Sequence, residues 1–292
     1  MKQLDKVRRA LVNIAREIYG DESEYIIKSF DIIGDIAIIK IPEKILDERR
    51  YRFGEEILKN LGYIKVVLRQ TTPVEGIYRL RKFEYLAGER RTETVYKEYG
   101  ARFYVDISKV YFTPRLSYER IRVANLVGEG EKVLNMFAGA GPFTIHIARK
   151  GGYVYSIDIN PYAIEYHYIN NIINKVDDKV ILFRDDASRV VEEYLVAKAD
   201  RVIMPLPELA LDYLKYALKA LREEGVLHIY LHIQYQENND EALEKGEYII
   251  WDKLSQYNVD ILDINSRVVR EVSTRMAQVC IDVTLHKNIN YI

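Results

Sequence analysis

The sequence predicts an open, doubly wound α/β sheet in its C-terminal part, preceded by a smaller α+β domain. Three observations carry this prediction. From about Gly130 onward, short apolar runs alternate with amphipathic helical stretches, which means parallel strands joined by right-handed crossovers. The first hundred or so residues break that rhythm, with short strands in hairpin-like pairs. A chain of 292 residues is also long enough for about two domains.

The elements follow in order. MKQLDKVRRALVNIAREIYG reads as an amphipathic charged helix without the uncharged core of a secretory signal. DIIGDIAIIKIP gives two short strands around Gly34, and ILDERRYRFGEEILKNLG a helix. IKVVLRQ, TETVYKEYG and ARFYVDIS are further strands, the last two turning at Gly100. The domain boundary is expected near Asp106, giving residues 1–105 and 106–292, because VYFTPRLSYERIRVANLV reads as the helix leading into the sheet. KVLNMF, YVYSIDI, KVILFR, DRVIM and VLHIYLHI are then five apolar strands. Between them lie the helices PFTIHIARKG, YAIEYHYINNIINK, ASRVVEEYLVAK and ELALDYLKYALKALREEG, the last closed by Gly225. Asn160-Pro161 opens the second of these, with proline in the first turn. Pro205 and Pro207 stop DRVIM at Met204, since proline has no N–H for the ladder. A helix near Tyr248–Tyr257 precedes VDILDINSRVV and AQVCIDVTLHK, which alternate as a terminal antiparallel pair. In such a sheet the ligand sits at the C-terminal strand ends.

Composition narrows the function classes. Hydrophobic residues at 48% and charged residues at 30% fit a soluble globular protein. No apolar run approaches the roughly 20 residues that span a bilayer. One cysteine, Cys280, excludes an internal disulfide and a cysteine-based metal cluster, and its apolar surroundings predict a buried small hydrophobe. A reducing cytoplasm is the expected setting. His146, His167, His228, His232 and His286 form no ligand pattern, so no metal is expected; His228 and His232 share helical spacing but lie in a strand. The net charge of −1 announces no polyanion, yet ERRYR, RLRKF, GERR and RLSYERIR are local basic clusters. Each is either a solvated face or a nucleic-acid contact. Abundant Lys, Glu, Ile and Tyr resemble hyperthermophile composition.

Chemistry concentrates at the strand ends. NMFAGAGPF (Asn135–Phe143) is a glycine loop, and glycines let backbone approach a ligand while the next helix offers free N–H groups. Alone it is equally a tight strand–helix turn. The third glycine of a dinucleotide fingerprint is replaced by Thr144, which disfavours a pyrophosphate and suits S-adenosylmethionine. Asp158 ends the second strand, where a carboxylate accepts both ribose hydroxyls. Asp186 follows the third, within reach of an adenine amino group; each acid alone is as readily a helix cap. Met204-Pro205-Leu206-Pro207 offers carbonyl acceptors but no side-chain acceptor, which argues against methylation of an exocyclic amine.

These motifs, with IDINP, the RDDA turn, VYFTPRLSYER and GIYRLRKFEYLAG, resemble the archaeal and eukaryotic type of tRNA (guanine-N1-)-methyltransferase. That family acts at position 37 beside the anticodon. The Pro-Arg-x-x-x-Glu-Arg element is the discriminating one, and the resemblance covers about Phe30 to Leu285. It implies a Rossmann-like class I methyltransferase sheet with an N-terminal domain that positions RNA. It implies Glu119 as general base, Arg115 as its substrate-contacting neighbour, and Arg79 as the guanine-contacting arginine, with Arg81 the other candidate. Phe137, Ala138, Gly139, Gly141, Pro142 and Phe143 would hold the cofactor together with Asp158, Ile159, Asp186, Ala187 and Pro205. Pro207 would bound the guanine. A carboxylate shielded by apolar neighbours can take the N1 proton, and a guanidinium at O6 stabilises the developing charge. Read without the resemblance, Glu119 and Arg115 are an i,i+4 surface ion pair.

Two departures bear on substrate. Pro205 stands where the family usually has Asn, and Asn135 where it usually has Asp. The chain begins where the second domain of longer members begins, so their extra N-terminal domain is expected to be absent. The implied partner is the anticodon loop of tRNA, with no membrane, no obligatory protein partner and a monomeric state. The alternatives are a wyosine-pathway enzyme at the same position, by carbon methylation or aminocarboxypropyl transfer, and a non-catalytic RNA-binding module.

Overall fold

Helix and strand packing divides the chain into two units, Met1–Pro114 and Arg115–Ile292. The structure is a computed structural model and describes residues 2–27 and 30–288. The division falls later than the 105/106 boundary read from sequence. The Phe112 ring explains the difference: it packs edge-on against Tyr96 at 5.3 Å and beside Phe103 at 5.9 Å, keeping this segment with the first unit.

The first unit contains α1 (Lys2–Tyr19), α2 (Glu24–Ile27), β1 (Phe30–Ile33), β2 (Ile36–Ile39), α3 (Arg49–Asn60) and β3 (Val66–Gln70). It continues with β4 (Phe83–Gly88), β5 (Glu93–Glu98) and β6 (Ala101–Asp106). Val7, Leu11, Ile14 and Ile18 recur at helical spacing on α1 and are buried in one core with Phe53 and Ile57 of α3. Burying each such side chain contributes about 1.5–3 kcal/mol. One sheet has the order β1-β2-β3-β4, and its β2–β3 pair is parallel. The β5–β6 hairpin turns through Tyr99 and Gly100, both at positive φ, as a two-residue primed turn requires.

The second unit opens with a 3₁₀ turn, Pro114–Leu116, shared with the end of the first, and α4 (Ser117–Leu126). Then come β7 (Lys132–Asn135), α5 (Pro142–Arg149), β8 (Tyr153–Ile157), α6 (Pro161–Ile173) and β9 (Val180–Phe183). A short α7 (Ala187–Val190) runs into a π turn (Val191–Leu195), followed by β10 (Ala199–Met204), α8 (Ala210–Ala220) and β11 (Leu221–Gln234). The chain then forms α9 (Asn239–Leu254), β12 (Val259–Ser273) and β13 (Met276–Lys287). The seven strands lie in the order β12-β13-β11-β10-β7-β8-β9. Strands β11, β10, β7, β8 and β9 are mutually parallel, and β13 runs antiparallel to both β11 and β12. The chain moves outward from β7 to β9 and then returns to β10 on the other side of β7. That reversal puts the topological switch point, where such sheets bind ligands, between β7 and β10.

Three element boundaries differ from the sequence reading. Helix α8 ends at Ala220 rather than Gly225, because Arg222–Glu224 are drawn into β11, whose pairing with β13 reaches Glu224 opposite His286. Gly225 serves close approach instead: a Cβ there would lie 2.9 Å from the Asp200 carbonyl oxygen and 2.6 Å from Leu221. Helix α9 starts at Asn239, earlier than expected, because the Asn238 side chain accepts from the Asp240 and Glu241 N–H groups as an N-cap. The helix expected over ASRVVEEYLVAK is only one α turn before it widens into the π turn.

Candidate active site

Strand β7 ends at Asn135, fully buried, whose amide donates to the Thr144 hydroxyl at 3.2 Å; Thr144 in turn meets Ser156 at 2.7 Å. The loop beyond is tied to both neighbouring strands. Met136 N–H donates to the Ile203 carbonyl at 3.1 Å, and Ala138 N–H to the Ile157 carbonyl at 2.9 Å. Gly139 and Gly141 hold φ of +56° and +86°. A Cβ at Gly141 would overlap the His167 ring of α6, so that glycine is required by packing behind the loop. Asn170 adds a hydrogen bond to the Ala140 carbonyl at 3.0 Å. Pro142 then opens α5, whose first turn offers backbone N–H groups without helical partners. Ala138 and Phe143 are buried, while Phe137 and Pro142 are partly so.

Asp158 follows β8. Its Oδ2 accepts the Gly139 N–H at 2.7 Å and its Oδ1 the Asn160 N–H at 2.9 Å. Desolvation raises its pKa above the ordinary value, and these two backbone donors oppose that only in part. Each oxygen retains room for a further donor. Ile159 beside it is half-exposed. Asp186 follows β9 and caps α7: its Oδ1 accepts from the Ser188 N–H and hydroxyl at 2.8 and 2.5 Å. Its Oδ2 accepts the Tyr213 hydroxyl at 2.5 Å. Burial pushes the Asp186 pKa up, but the Ser188 and Tyr213 hydrogen bonds outweigh it and the net shift is downward. Tyr213, on α8, also packs edge-on against Phe137 at 5.2 Å, joining two strand ends. Sequence reading missed it, because nothing local distinguishes it from the other tyrosines of that helix. Ala187 is buried, and Pro205 and Pro207 flank the end of β10 half-buried. The free capacity on Asp158, the left-handed glycine loop and the apolar flanks fit the ribose, amino-acid part and adenine of S-adenosylmethionine.

Glu119 lies in the first turn of α4 and is 3% exposed. Its surroundings are not the apolar shield expected from sequence. Arg122 donates from Nε to Oε2 at 2.9 Å and from Nη2 to Oε1 at 2.7 Å, and the Tyr230 hydroxyl donates to Oε1 at 2.7 Å. Arg122 also reaches both oxygens of Asp282, at 2.5 and 3.2 Å. The pair is thus i,i+3 and buried, a different contact from the surface pair with Arg115 that helical spacing suggests. Arg115 itself is exposed.

His228, Cys280 and Asp282 bring their ligand atoms within 4.8 Å of one another, a grouping that sequence reading did not expect. Its polar atoms are already engaged. His228 Nδ1 and Cys280 Sγ bond Asp282 at 2.6 and 3.2 Å, and Arg201 meets His228 Nε2 at 2.7 Å. Two guanidinium charges beside these atoms oppose a bound cation. Cys280 is buried, but it is a hydrogen-bonding member of this group as well as a small hydrophobe.

The two candidate arginines belong to the first unit. Arg79 holds φ of +57° and lies over the Tyr111 ring at 5.4 Å. Arg81 is buried, donates to the Phe112 carbonyl at 3.2 Å and sits 3.7 Å from Asp31.

Comparison with known proteins follows the same line. The sequence profile of the TRM5/TYW2 methyltransferase domain matches residues 94–259, and that of the TYW2 N-terminal domain matches residues 11–92. The tRNA (guanine(37)-N(1))-methyltransferase Trm5b of Pyrococcus abyssi is 38% identical over 94% of this chain and 78% of its own length. The tRNA 4-demethylwyosine(37)-methyltransferase Taw21 of Saccharolobus solfataricus is 37% identical over 88% of this chain and 93% of its own. A solved complex of aTrm5 with tRNALeu superimposes with a TM-score of 0.81 at 34% identity, over 96% of this chain and 79% of that one. A switch-point glycine loop, acids at the next two strand ends and this extent of similarity lead to one conclusion: the chain belongs to the TRM5/TYW2 methyltransferase family.

Proposed function

We propose that this protein is an S-adenosylmethionine-dependent methyltransferase acting on N1 of guanosine 37 in the tRNA anticodon loop. The observation that carries the reading is the buried Glu119 carboxylate in the Pro-Arg-x-x-x-Glu-Arg element, within a chain 38% identical to a Trm5b. The cofactor supplies a methyl group made electrophilic by its positive sulfur. Asp158 accepts the ribose hydroxyls, the glycine loop receives the amino-acid part, and Asp186, held by Tyr213, faces the adenine amino group. Phe137, Ile159 and Pro205 bound the rings. Glu119 takes the N1 proton. Arg115 and Arg79 stabilise the charge that develops on O6, and Pro207 walls the base. Arg81, anchored to the Phe112 carbonyl, orders the loop that carries Arg79. The first unit positions the RNA, and a cytoplasmic monomer suffices.

Two observations favour a second reading, methylation of carbon in a wyosine intermediate at the same position. The acceptor corner is Pro205-Leu206-Pro207, without an amide, and the Taw21 similarity spans 93% of that protein. Position-37 guanosine tRNA incubated with cofactor labelled separately on the methyl and the butyryl part decides the class of transfer. Methyl label on the nucleoside is expected; butyryl label would overturn the methyltransferase reading. A parallel reaction on tRNA carrying the wyosine intermediate tests the second substrate.

A further inference from the structure

We infer that Tyr230 and Arg122 are positioning residues for the proposed base, and that they leave Glu119 Oε2 as the oxygen that takes the proton. The inference rests on the assignment of Glu119 as base. A carboxylate offers about four acceptor sites, two on each oxygen. Oε1 is filled by the Tyr230 hydroxyl and Arg122 Nη2, both at 2.7 Å. Among the described residues, Oε2 accepts one hydrogen bond, from Arg122 Nε at 2.9 Å. The open site is therefore on Oε2. In the reaction the N1–H bond would break toward Oε2, N1 would use the released electron pair to bond the methyl carbon, and the sulfur–methyl bond would break with its pair left on sulfur, giving S-adenosylhomocysteine and a protonated Glu119.

The clamp is rigid because each member is itself held. The planar Arg122 fork is fixed from its far side by both Asp282 oxygens, so it cannot swing away from Glu119. Asp282 also accepts from His228 Nδ1 at 2.6 Å. Arg201 can only donate, so His228 Nε2, 2.7 Å from Arg201 Nη1, must be the acceptor and the ring carries its proton on Nδ1. Arg201 is anchored in turn by Glu131 at 2.6 Å and by the Leu126 carbonyl, the last residue of α4, at 3.1 Å. The helix bearing Glu119 is thus fastened to the sheet near both ends. Tyr230 is fully buried on β11, and its ring packs 5.9 Å from Phe143, in the first turn after the glycine loop. The donor that orients the base is therefore keyed to the helix that follows the cofactor loop.

A net that merely fastened α4 would give a different result from one that orients a base. Single-turnover methyl transfer to position-37 guanosine tRNA is measured for wild type, Tyr230→Phe, Glu119→Gln and the double variant. S-adenosylhomocysteine and tRNA affinities are measured alongside. Tyr230→Phe keeps the ring and removes one charge-assisted donor; its rate is expected to fall about tenfold with both affinities unchanged. Glu119→Gln should fall on the order of 10² or more. The double variant should be no slower than Glu119→Gln, because the hydroxyl then has no base to orient. A wild-type rate in Tyr230→Phe, or multiplicative losses in the double variant, would overturn the positioning role while leaving Glu119 as base. A wild-type rate in Glu119→Gln would overturn the base assignment and this inference with it. If Tyr230→Phe does not fold, Arg122→Lys takes its place, since lysine keeps the charge but cannot bridge both carboxylate oxygens.

Discussion

Asp158 couples cofactor binding to pH. Burial raises its carboxyl above the ordinary 3.8 even though two backbone N–H groups favour the ionised form. Only the ionised form accepts two ribose hydroxyls, so affinity for S-adenosylhomocysteine should fall as pH drops through the raised value. Calorimetric titrations between pH 7 and pH 4 should show the loss beginning while an ordinary aspartate is still charged. An affinity flat down to 3.8 would contradict this. Asp158→Asn should weaken cofactor binding by about 1.5–3 kcal/mol, the range for hydrogen bonds to a charged group. Glu119→Ala, in contrast, should leave cofactor affinity unchanged while turnover falls on the order of 10² or more; unchanged turnover would remove it from the role of base. As candidates, Asp158 and Asp186 are legible in the sequence from their strand ends, and Glu119 only through the motif that carries the family resemblance. Their partners are not. Tyr230 lies 111 residues from Glu119, and Asp282 160 residues from Arg122, so only the folded sheet brings them together.

The glycine loop and α6 act as one element. Gly141 sits at φ +86° with the His167 ring directly behind it. Gly141→Ala should cost about 2 kcal/mol or more, combining left-handed strain with overlap. Adding His167→Ala should relieve the overlap and leave the strain, which denaturant unfolding of the two variants can separate. Full burial pushes the His167 pKa from 6.5 down to about 3. The unfolded chain therefore binds this proton more readily than the native one, and stability should fall as pH is lowered from about 6.5 toward 3. His167→Gln should remove part of that slope between pH 6.5 and 5; an unaltered slope would show that His167 does not contribute to it. Elements whose identity is local were readable, including the stop of β10 at Met204 before Pro205 and the Tyr99-Gly100 hairpin. The α8–β11 junction was not. Arg222–Glu224 read as helix by composition, and pairing with residues near His286 overrides that preference. Strand β4, FEYLAG, is absent from the strands read in the sequence, because its pairing with β3 is what makes it a strand.

Across the whole molecule, the alternation of apolar runs and helices was enough to read the second unit's sheet and the strand ends that carry its candidate site, whereas the strand order, and with it the switch point between β7 and β10, came only from the structure. The late division at Pro114 depends on the Phe112 ring and was not readable from local pattern. No helix among the described residues is long and apolar enough to cross a membrane. Arg79 and Arg81 belong to the first unit, and Glu119, Arg115 and the candidate cofactor residues to the second. The most direct measurement is mass analysis of the nucleoside at position 37 in tRNA transcripts that carry guanosine, inosine or adenosine there. Guanosine and inosine share the N1 proton and O6, so both should gain one methyl group on N1, with none on adenosine. A methyl group on adenosine, on another atom of guanosine, or on no transcript would contradict the account.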